Sequence, residues 1–490
     1  LSLALVFGLD GGMLTVGLAL AALGTALVAT HLDLAALRWC VAALGILVAA
    51  RMAYEPRIVG GELSKTPIFN WLLFGFGVPA ACFALAGRVL RRARDDVPAH
   101  VADALAVLFS ALLFFFEIRH AMNGGDPFAR GSGLVEQGLL AVTSLGFSLV
   151  LTRLDAGRRN IVFRCASIAM GALGIAIAAI GLLLRHNPFL HARPLEGGPI
   201  LNALLLGYLI PALMAFILAI SARRLRPLWF WGGAAALGLV LGFAFLMLEV
   251  RVLFHGQVVI FWLGAGIAEL GIDTAICLAG ALLFASPARG ELAPWLERLS
   301  VGLAILAALI FVAGLAIYAN PLLGEAKVAG GSIVNTLLPG YALPCLMSAV
   351  LARRVRAAGW PRYASLASIG AILALFAYAS LEVRRVFQGD EMDLLNGFTQ
   401  GELYAYSAAW LALGILLLAY GLWRGSREAR LASACFIVAT VLKVFLLDLA
   451  GLEGMLRALS FIGLGAVLIG IGLVYQKFVF AKKDQVNASP

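Results

Sequence analysis

Long apolar runs separated by short polar connections dominate this 490-residue sequence. About fifteen runs of roughly 18 to 25 residues occur, from 12–31 to 456–476, and helices of that length cross a hydrocarbon core ~30 Å thick. Backbone polar groups find no water in lipid, so such runs fold as helices. With 62% hydrophobic and 13% charged residues, the composition excludes an ordinary soluble domain. The sequence therefore predicts an all-α integral membrane protein with about fifteen transmembrane helices.

A pattern of asparagine, glycine and proline recurs three times. Asn70, Asn202 and Asn335 lie 132 and then 133 residues apart, each followed five residues later by glycine and nine residues later by proline. Recurrence at a long fixed period indicates duplication of a multi-helix unit. A unit of four helices, an even number, predicts parallel repeats. The predicted divisions are a partial leading repeat at 1–35, repeats at 36–160, 161–296 and 297–428, and a degenerate terminal repeat with a cytoplasmic tail at 429–490.

Each copy also carries a Glu-x-Arg triplet that ends one apolar run and a glutamate that opens the next. These residues are Glu117, Arg119 and Glu136, then Glu249, Arg251 and Glu269, then Glu382, Arg384 and Glu402. Two helix positions separate side chains by about 200°, so the Glu and Arg of one triplet should meet different neighbours, one a helix asparagine and the other the connecting loop or lipid headgroups. Glu382 and Arg385, three positions apart, can pair instead. A substrate site and a structural ion pair with an interfacial Arg both remain open.

The asparagines and Lys443 likewise have structural and functional interpretations. Asparagine at a helix start suits a cap or an interhelical hydrogen bond, and the following glycine and proline predict a close-packed, kinked helix; ligand contact is the alternative. Lys443 lies inside an apolar run, where a charge is usually paired and functional, and Asp448 follows it five residues later. A pairing of Lys443 with Glu382 or Glu402 is the first geometry to check. The predicted substrate-binding residues are Glu117, Arg119, Glu136, Asn202, Glu249, Arg251, Glu269, Asn335, Glu382, Arg384, Glu402 and Lys443.

Basic residues concentrate in alternate connections, such as RVLRRARDD, TRLDAGRRN, SARRLRP and ARRVRAAGWPR. By the positive-inside rule these connections are cytoplasmic, which places the recurring motifs at the outer face. The basic pI of about 9.6 thus reports topology and not nucleic-acid binding. The chain opens within an apolar run and lacks an initiator Met, so we expect a further segment before residue 1.

The C-terminal stretch 381–476 carries a further set of characteristic residues. They are Glu382, Arg384, Phe387, Gly389, Glu402, Tyr406, Ser407, Trp410, Lys443, Asp448, Arg457, Ser460, Phe461 and Gly465. With these residues the stretch resembles the bacterial predicted-membrane-protein family called domain of unknown function 2339. The resemblance implies a long multi-pass protein with an additional N-terminal segment, and it implies no particular activity.

The sequence favours a protein that is not an enzyme. It contains no P-loop, nucleotide fingerprint or nucleophile elbow, and its outer histidines, which do not recur between copies, lack metal-ligand spacing. Six cysteines inside apolar runs, without CxxC spacing, predict buried small side chains.

We therefore predict, with no catalytic residue, cofactor or metal, a bacterial inner-membrane protein that binds or translocates an envelope-side substrate through an outward-facing polar groove. The predicted substrate is a lipid-linked or glycan precursor. The alternatives are an integral-membrane transferase with an outer Glu as general base and a structural scaffold. The predicted partners are membrane lipid, an envelope glycan or lipid-linked precursor, or a membrane-complex protein, and not nucleic acid.

Overall fold

A computed structural model describes residues 11–54, 66, 68–260, 264–285, 293–324, 326–331, 334–448 and 454–475. These ranges form fifteen helices and no strand. Thirteen of the helices are long and apolar enough to cross a membrane. The prediction of an all-helical, multi-pass membrane protein is confirmed.

The chain divides into two compact units, Leu1–Leu263 and Gly264–Pro490. The described helices of the first are α1 (Gly11–His31), α2 (Ala35–Tyr54), α3 (Leu73–Ala93), α4 (Val97–Met122), α5 (Leu134–Gly157), α6 (Ile161–Arg185), α7 (Leu205–Ala222) and α8 (Leu228–His255). Those of the second are α9 (Ile267–Phe284), α10 (Ala293–Tyr318), α11 (338–357), α12 (Pro361–Gln388), α13 (Gln400–Arg424), α14 (427–448) and α15 (Gly454–Tyr475).

Within each unit the helices pack in sequential groups. In the first unit, α1 contacts α2 and α3 while α3 contacts α4, and α5, α6, α7 and α8 repeat this arrangement. In the second unit, α9 contacts α10 and α11 while α11 contacts α12. Aromatic rings fill the middle of these groups, as at Phe83 and Phe109 or at Tyr208 and Phe230. Each group begins one helix before the repeat divisions predicted from the sequence, and those divisions remain predictions.

Side-chain caps define the helix starts after the short basic connections. Asp96, Asn160 and Ser426 each accept a hydrogen bond from a backbone N–H in the first turn of α4, α6 and α14. Such caps satisfy donors that have no partner inside the helix. Consecutive helices can therefore reverse direction within a few residues.

Three helices begin with a π-helical turn at the recurring glycine. These turns are Leu73–Gly77 in α3, Leu205–Leu209 in α7 and Leu338–Ala342 in α11. A Cβ atom added to Gly138 of α5 would lie 2.2 Å from the carbonyl oxygen of Leu206, and one added to Gly271 of α9 would lie 2.2 Å from that of Pro339. The backbones therefore approach as closely as glycine allows. The predicted close packing is confirmed, and the predicted irregularity takes the form of a π turn.

Apolar side chains cover the outer surfaces of the spans, as expected for contact with lipid. Some cysteines belong to this surface. Cys82 and Cys277 are buried as predicted, whereas Cys40, Cys165 and Cys435 are exposed. The burial prediction is wrong for these three because a small apolar side chain is equally stable facing lipid.

Candidate functional site in the long connections

Each recurring asparagine bonds to the glutamate of its own Glu-x-Arg triplet. Asn202 Nδ2 donates to Glu249 Oε2 at 3.0 Å. The corresponding pairs are Asn70 with Glu117 at 3.1 Å and Asn335 with Glu382 at 2.8 Å, and each pair is separated by 47 residues. The Oδ1 atom of each asparagine accepts from the backbone N–H two residues later, at 2.8 Å. The asparagine is therefore both the cap of its helix and an interhelical contact, as the structural interpretation predicted.

The same carboxylates fix a strained turn just before the asparagine. Ile68 and Ile200 both have φ at +71°, a conformation that β-branched residues rarely adopt. The backbone N–H of Ile200 donates to Glu249 Oε1 at 2.7 Å, and that of Ile68 donates to Glu117 Oε2 at 3.3 Å. Strain of this kind persists only where surrounding contacts hold it. The third equivalent, at position 333, lies outside the described residues.

A tight backbone crossing precedes this turn in the second and third copies. Gly197 pairs with Asn202, and Gly330 pairs with Asn335, as isolated bridges. Both glycines have φ above +100°, and a Cβ atom on Gly197 would lie 2.5 Å from the carbonyl oxygen of Leu201. Only glycine fits this crossing without distortion.

The arginines bind the connection that follows their own helix. Each donates through Nε to a carbonyl oxygen eight residues later, at Pro127 for Arg119 (2.8 Å), at Val259 for Arg251 (3.1 Å) and at Met392 for Arg384 (2.6 Å). The Glu and Arg of one triplet thus point to different neighbours, as the helical geometry predicted. Three long connections are held by a guanidinium group in the same way.

Arg119 and Arg384 also pair with the glutamate that opens the next helix. Arg119 Nη1 contacts Glu136 Oε1 at 2.7 Å, and Arg384 Nη1 contacts Glu402 Oε1 at 2.8 Å. Arg384 and Glu402 are fully buried. The charges suit their positions, because an anion is stabilised at a helix start and a cation at a helix end. Arg251 and Glu269 are also buried, and they belong to different compact units.

Helix capping explains the position of Glu402 at the start of α13 only in part. Thr399 caps α13 by accepting a hydrogen bond from the Glu402 backbone N–H at 3.2 Å. The Glu402 side chain is engaged elsewhere, with Arg384 and with Gln388 Nε2 at 3.0 Å.

Lys443 pairs with Asp448, the carboxylate five residues later on its own helix. Its Nζ atom donates to Asp448 Oδ1 at 2.8 Å, Ser407 Oγ at 2.8 Å and the Leu403 carbonyl at 2.7 Å. Glu382 and Glu402, the partners to check first, are bonded to Asn335 and to Arg384 instead. α14 becomes π-helical over Val444–Asp448, and an i→i+5 pattern brings residues five apart together.

The alternative pairing of Glu382 with Arg385 does not occur either. Arg385 donates to the carbonyl oxygens of Gly330 and Gly331 at 2.7 and 2.8 Å, and it contacts Asp390 at 3.4 Å. It therefore holds the glycine crossing before Asn335, while Glu382 holds the asparagine itself.

One family model matches almost the whole chain. The model described as Predicted membrane protein (DUF2339) matches residues 1–272 and 262–478. The chain belongs to this family. The search of curated proteins and the search of solved structures each found no match.

The turns before the asparagines are a feature of this DUF2339 chain that the polar motifs did not reveal. Their apolar side chains point outward: Ile200 is 64% exposed, Leu201 75% and Phe69 79%. The signal was present as PIFN, PILN and SIVN in the three copies, where two apolar residues directly precede each asparagine. The polar residues of the motif alone do not contain this pattern.

The sequence-predicted residues thus form several local clusters. Asn202 joins Glu249, Asn335 joins Glu382, Arg119 joins Glu136 and Arg384 joins Glu402, while Lys443 lies in a separate cluster with Ser407 and Asp448. Among the described residues no group of three or more His, Cys, Asp or Glu side chains is placed to hold a metal ion.

Proposed function

We propose that this multi-pass membrane protein binds, and as part of a transport cycle translocates, an envelope-side amphiphilic substrate, either a lipid-linked or a glycan precursor. Its proposed location is the bacterial inner membrane, with the short basic connections in the cytoplasm. The long connections then face the envelope and contact the substrate.

The apolar turn held by Glu249 carries the proposal. Ile200 and Leu201 stand largely exposed at the turn, while Asn202 and Glu249 below them are bonded. A non-glycine residue in this backbone conformation costs about 1–3 kcal/mol, and residues strained in this way cluster at active sites and ligand-binding segments. Exposed apolar groups rimmed by polar ones are typical of lipid or ligand contact.

Recurrence of this turn fits a substrate with a long apolar chain. Ile68 and Phe69 are exposed in the first copy, and Val334 is exposed in the third. The side chains differ in shape while the asparagine and glutamate beneath them are the same. The bonded asparagine and glutamate stay the same, while the exposed apolar side chains vary. Such a surface suits an acyl or prenyl chain, because binding of that chain needs apolar area and little directional hydrogen bonding.

The test is to identify which amphiphile copurifies with the protein when the protein is extracted from the membrane. We expect purified full-length chain to retain an envelope amphiphile, detected by mass spectrometry of the extract, at several times its share of bulk lipid. Ile200→Ser combined with Leu201→Ser should reduce this enrichment. Leu190→Ser, in the same connection and also exposed, is the matched control and should retain it.

Two results would overturn the proposal. One is an extract whose composition equals that of the bulk membrane. The other is equal enrichment in the turn variant and in the control, with both folded as judged by thermal melting.

A scaffold is the second candidate, and the satisfied charge network favours it. Arg384 is fully buried, with every nitrogen bonded to a loop carbonyl or to Glu402, an arrangement that rigidifies a structure. On this hypothesis the exposed turns contact a protein partner, and photo-crosslinking from position 201 would capture a protein instead of a lipid. The transferase hypothesis stays a prediction. Glu249 and Glu382, two of the glutamates that could act as its base, are bonded to asparagine, and Glu402 is bonded to arginine.

A further inference from the structure

A cavity of about 210 Å³ lies at the helix ends of the first unit, apart from the residues predicted to bind substrate. Its wall includes Met122 at the end of α4, Leu134 at the start of α5, Arg185 at the end of α6, and part of the connection 186–204. The cavity therefore sits at the level where the spans end, where a lipid headgroup meets its chains.

Positively charged side chains outnumber negatively charged ones around this cavity. Arg185 and Arg193 both line it and are exposed, and neither makes an ion pair within the described part of the chain. His186 and His191 line the same space, and Glu196 is the one carboxylate among the lining residues. Two guanidinium groups facing one carboxylate leave an excess of positive charge.

The pKa of the His186 imidazole responds to this excess of positive charge. Burial lowers the pKa of its imidazole, and Arg193, Arg185 and His191 lower it further, while Glu136 acts in the opposite direction. Its Nε2 atom lies 3.0 Å from Ser132 Oγ. Three positively charged or titratable neighbours thus act on one imidazole, and an anion in the cavity would compensate them.

The wall is divided between polar and apolar groups. Met122, Leu134 and Leu195 supply apolar surface, whereas the arginines and histidines supply donors. The first turn of α5 borders the cavity and has no side-chain cap, so its free N–H groups add to the attraction for an anion.

We propose that this cavity binds a phosphate or diphosphate group, with Arg185, Arg193 and His186 as its donors. The proposal of an anion site depends on the cavity and its lining residues alone. The identification of its natural occupant as the phosphorylated headgroup of an amphiphile, with the start of its chain against Leu134 and Leu195, rests on the proposed function.

The test measures binding of two probes to the full-length chain in detergent. Inorganic pyrophosphate represents the free anion, and phosphatidic acid in mixed micelles, compared with phosphatidylcholine, represents the headgroup of a lipid. Calorimetric titration should give saturable binding of at least one probe. Arg185→Gln and Arg193→Gln should each weaken it about tenfold, since a hydrogen bond to a charged group is lost. Arg130→Gln, exposed in the connection before α5, is the matched control and should bind like the wild type.

A pH titration gives a second, independent measurement. Because a bound anion favours the charged imidazole, the affinity of the wild type relative to that of His186→Asn should rise several-fold as pH falls from about 7.5 to about 5.5. Protonation of the probe itself affects both proteins equally and cancels in this ratio. A ratio that does not change with pH would exclude His186 as a donor.

The outcomes are distinguishable. Binding of pyrophosphate alone supports the site with a soluble anion as occupant, and preferential binding of phosphatidic acid supports the headgroup. Binding of neither probe, or equal binding by the Arg185, Arg193 and Arg130 variants, overturns the site. If the protein still carries an envelope amphiphile in that case, the proposed function survives this failure.

Discussion

Asn202 and Glu249 are joined side chain to side chain at 3.0 Å across 47 residues of sequence. One carboxylate thereby holds the start of α7, through the asparagine, and the preceding turn, through Ile200 N–H. The position of the exposed turn and the packing of the helix consequently depend on the same group.

Replacing Glu249 should test this dependence. Glu249→Gln keeps the shape of the side chain but leaves two donors competing for one oxygen atom, and we expect a loss of about 1–3 kcal/mol in unfolding free energy. Detergent-based unfolding of the purified protein measures it. Glu297→Gln on the exposed side of α10 is the control. Unchanged stability together with lost substrate retention would instead make Glu249 a ligand group.

Glu402 should be more sensitive than Glu249. Glu402→Gln leaves the fully buried Arg384 without a counter-charge, which costs about 3–5 kcal/mol. We expect membrane abundance to fall sharply. Glu391→Gln removes an exposed pair with Lys327 and should leave abundance unchanged. Equal abundance of the two variants would contradict a structural role for the buried pair.

The glycine contact between α9 and α11 should not tolerate even a methyl group. In Gly271→Ala the new Cβ atom would lie 2.2 Å from the Pro339 carbonyl oxygen and 2.4 Å from Gly340 Cα. Both are backbone atoms, so the helices must separate, at a cost of about 1–3 kcal/mol. Gly302→Ala has no atom within 4 Å of the added carbon and should melt at or above the wild-type temperature.

Stability in acid should depend on Asp96. The Arg38 guanidinium holds the pKa of this carboxyl below its usual range through a hydrogen bond. The pair therefore stabilises the fold above the unfolded pKa of about 3.9, and the contribution is lost as pH falls through the lower folded value. Asp96→Asn, which keeps the helix cap, should be less stable than wild type at neutral pH and converge with it in acid. Asp95→Asn, at an exposed position, should show no such convergence.

Topology can be tested with single cysteines in a background lacking the native ones. Cysteine at Gly131 or Gly198, where a side chain meets no atom within 4 Å, should react with an impermeant thiol reagent added outside intact cells. Cysteine at Gly157 or Arg224, in the basic connections, should react only after permeabilisation. The reverse pattern would place the long connections in the cytoplasm and refute the proposed substrate side.

The class of fold and the directions of the triplet side chains could be predicted because both follow from local periodicity. Apolar length alone identifies a span, and two positions of helix separate Glu382 from Arg384 whatever surrounds them. The partner of Glu382, a helix asparagine, then followed from the recurrence of both residues in every copy.

The remaining features depend on information that periodicity does not contain. Lys443 reaches Asp448 because the helix changes to a π turn between them, and a regular helix predicts otherwise. The φ of Ile200 and the cavity beside Arg193 depend on how a long connection folds over helix ends. Contacts of that kind are fixed by tertiary structure and leave little trace in hydropathy.

The π turn at the start of α7 changes the rotational position of the residues before it relative to the rest of the helix. A π turn holds one residue more than the α turn it replaces, so everything before Leu205 is rotated about 100° relative to a regular helix. Deletion of one residue from this turn would restore ideal helical geometry. The same deletion would swing Asn202 away from Glu249 while leaving both residues unaltered, so a locally more regular helix would have lost its anchor to the long connection.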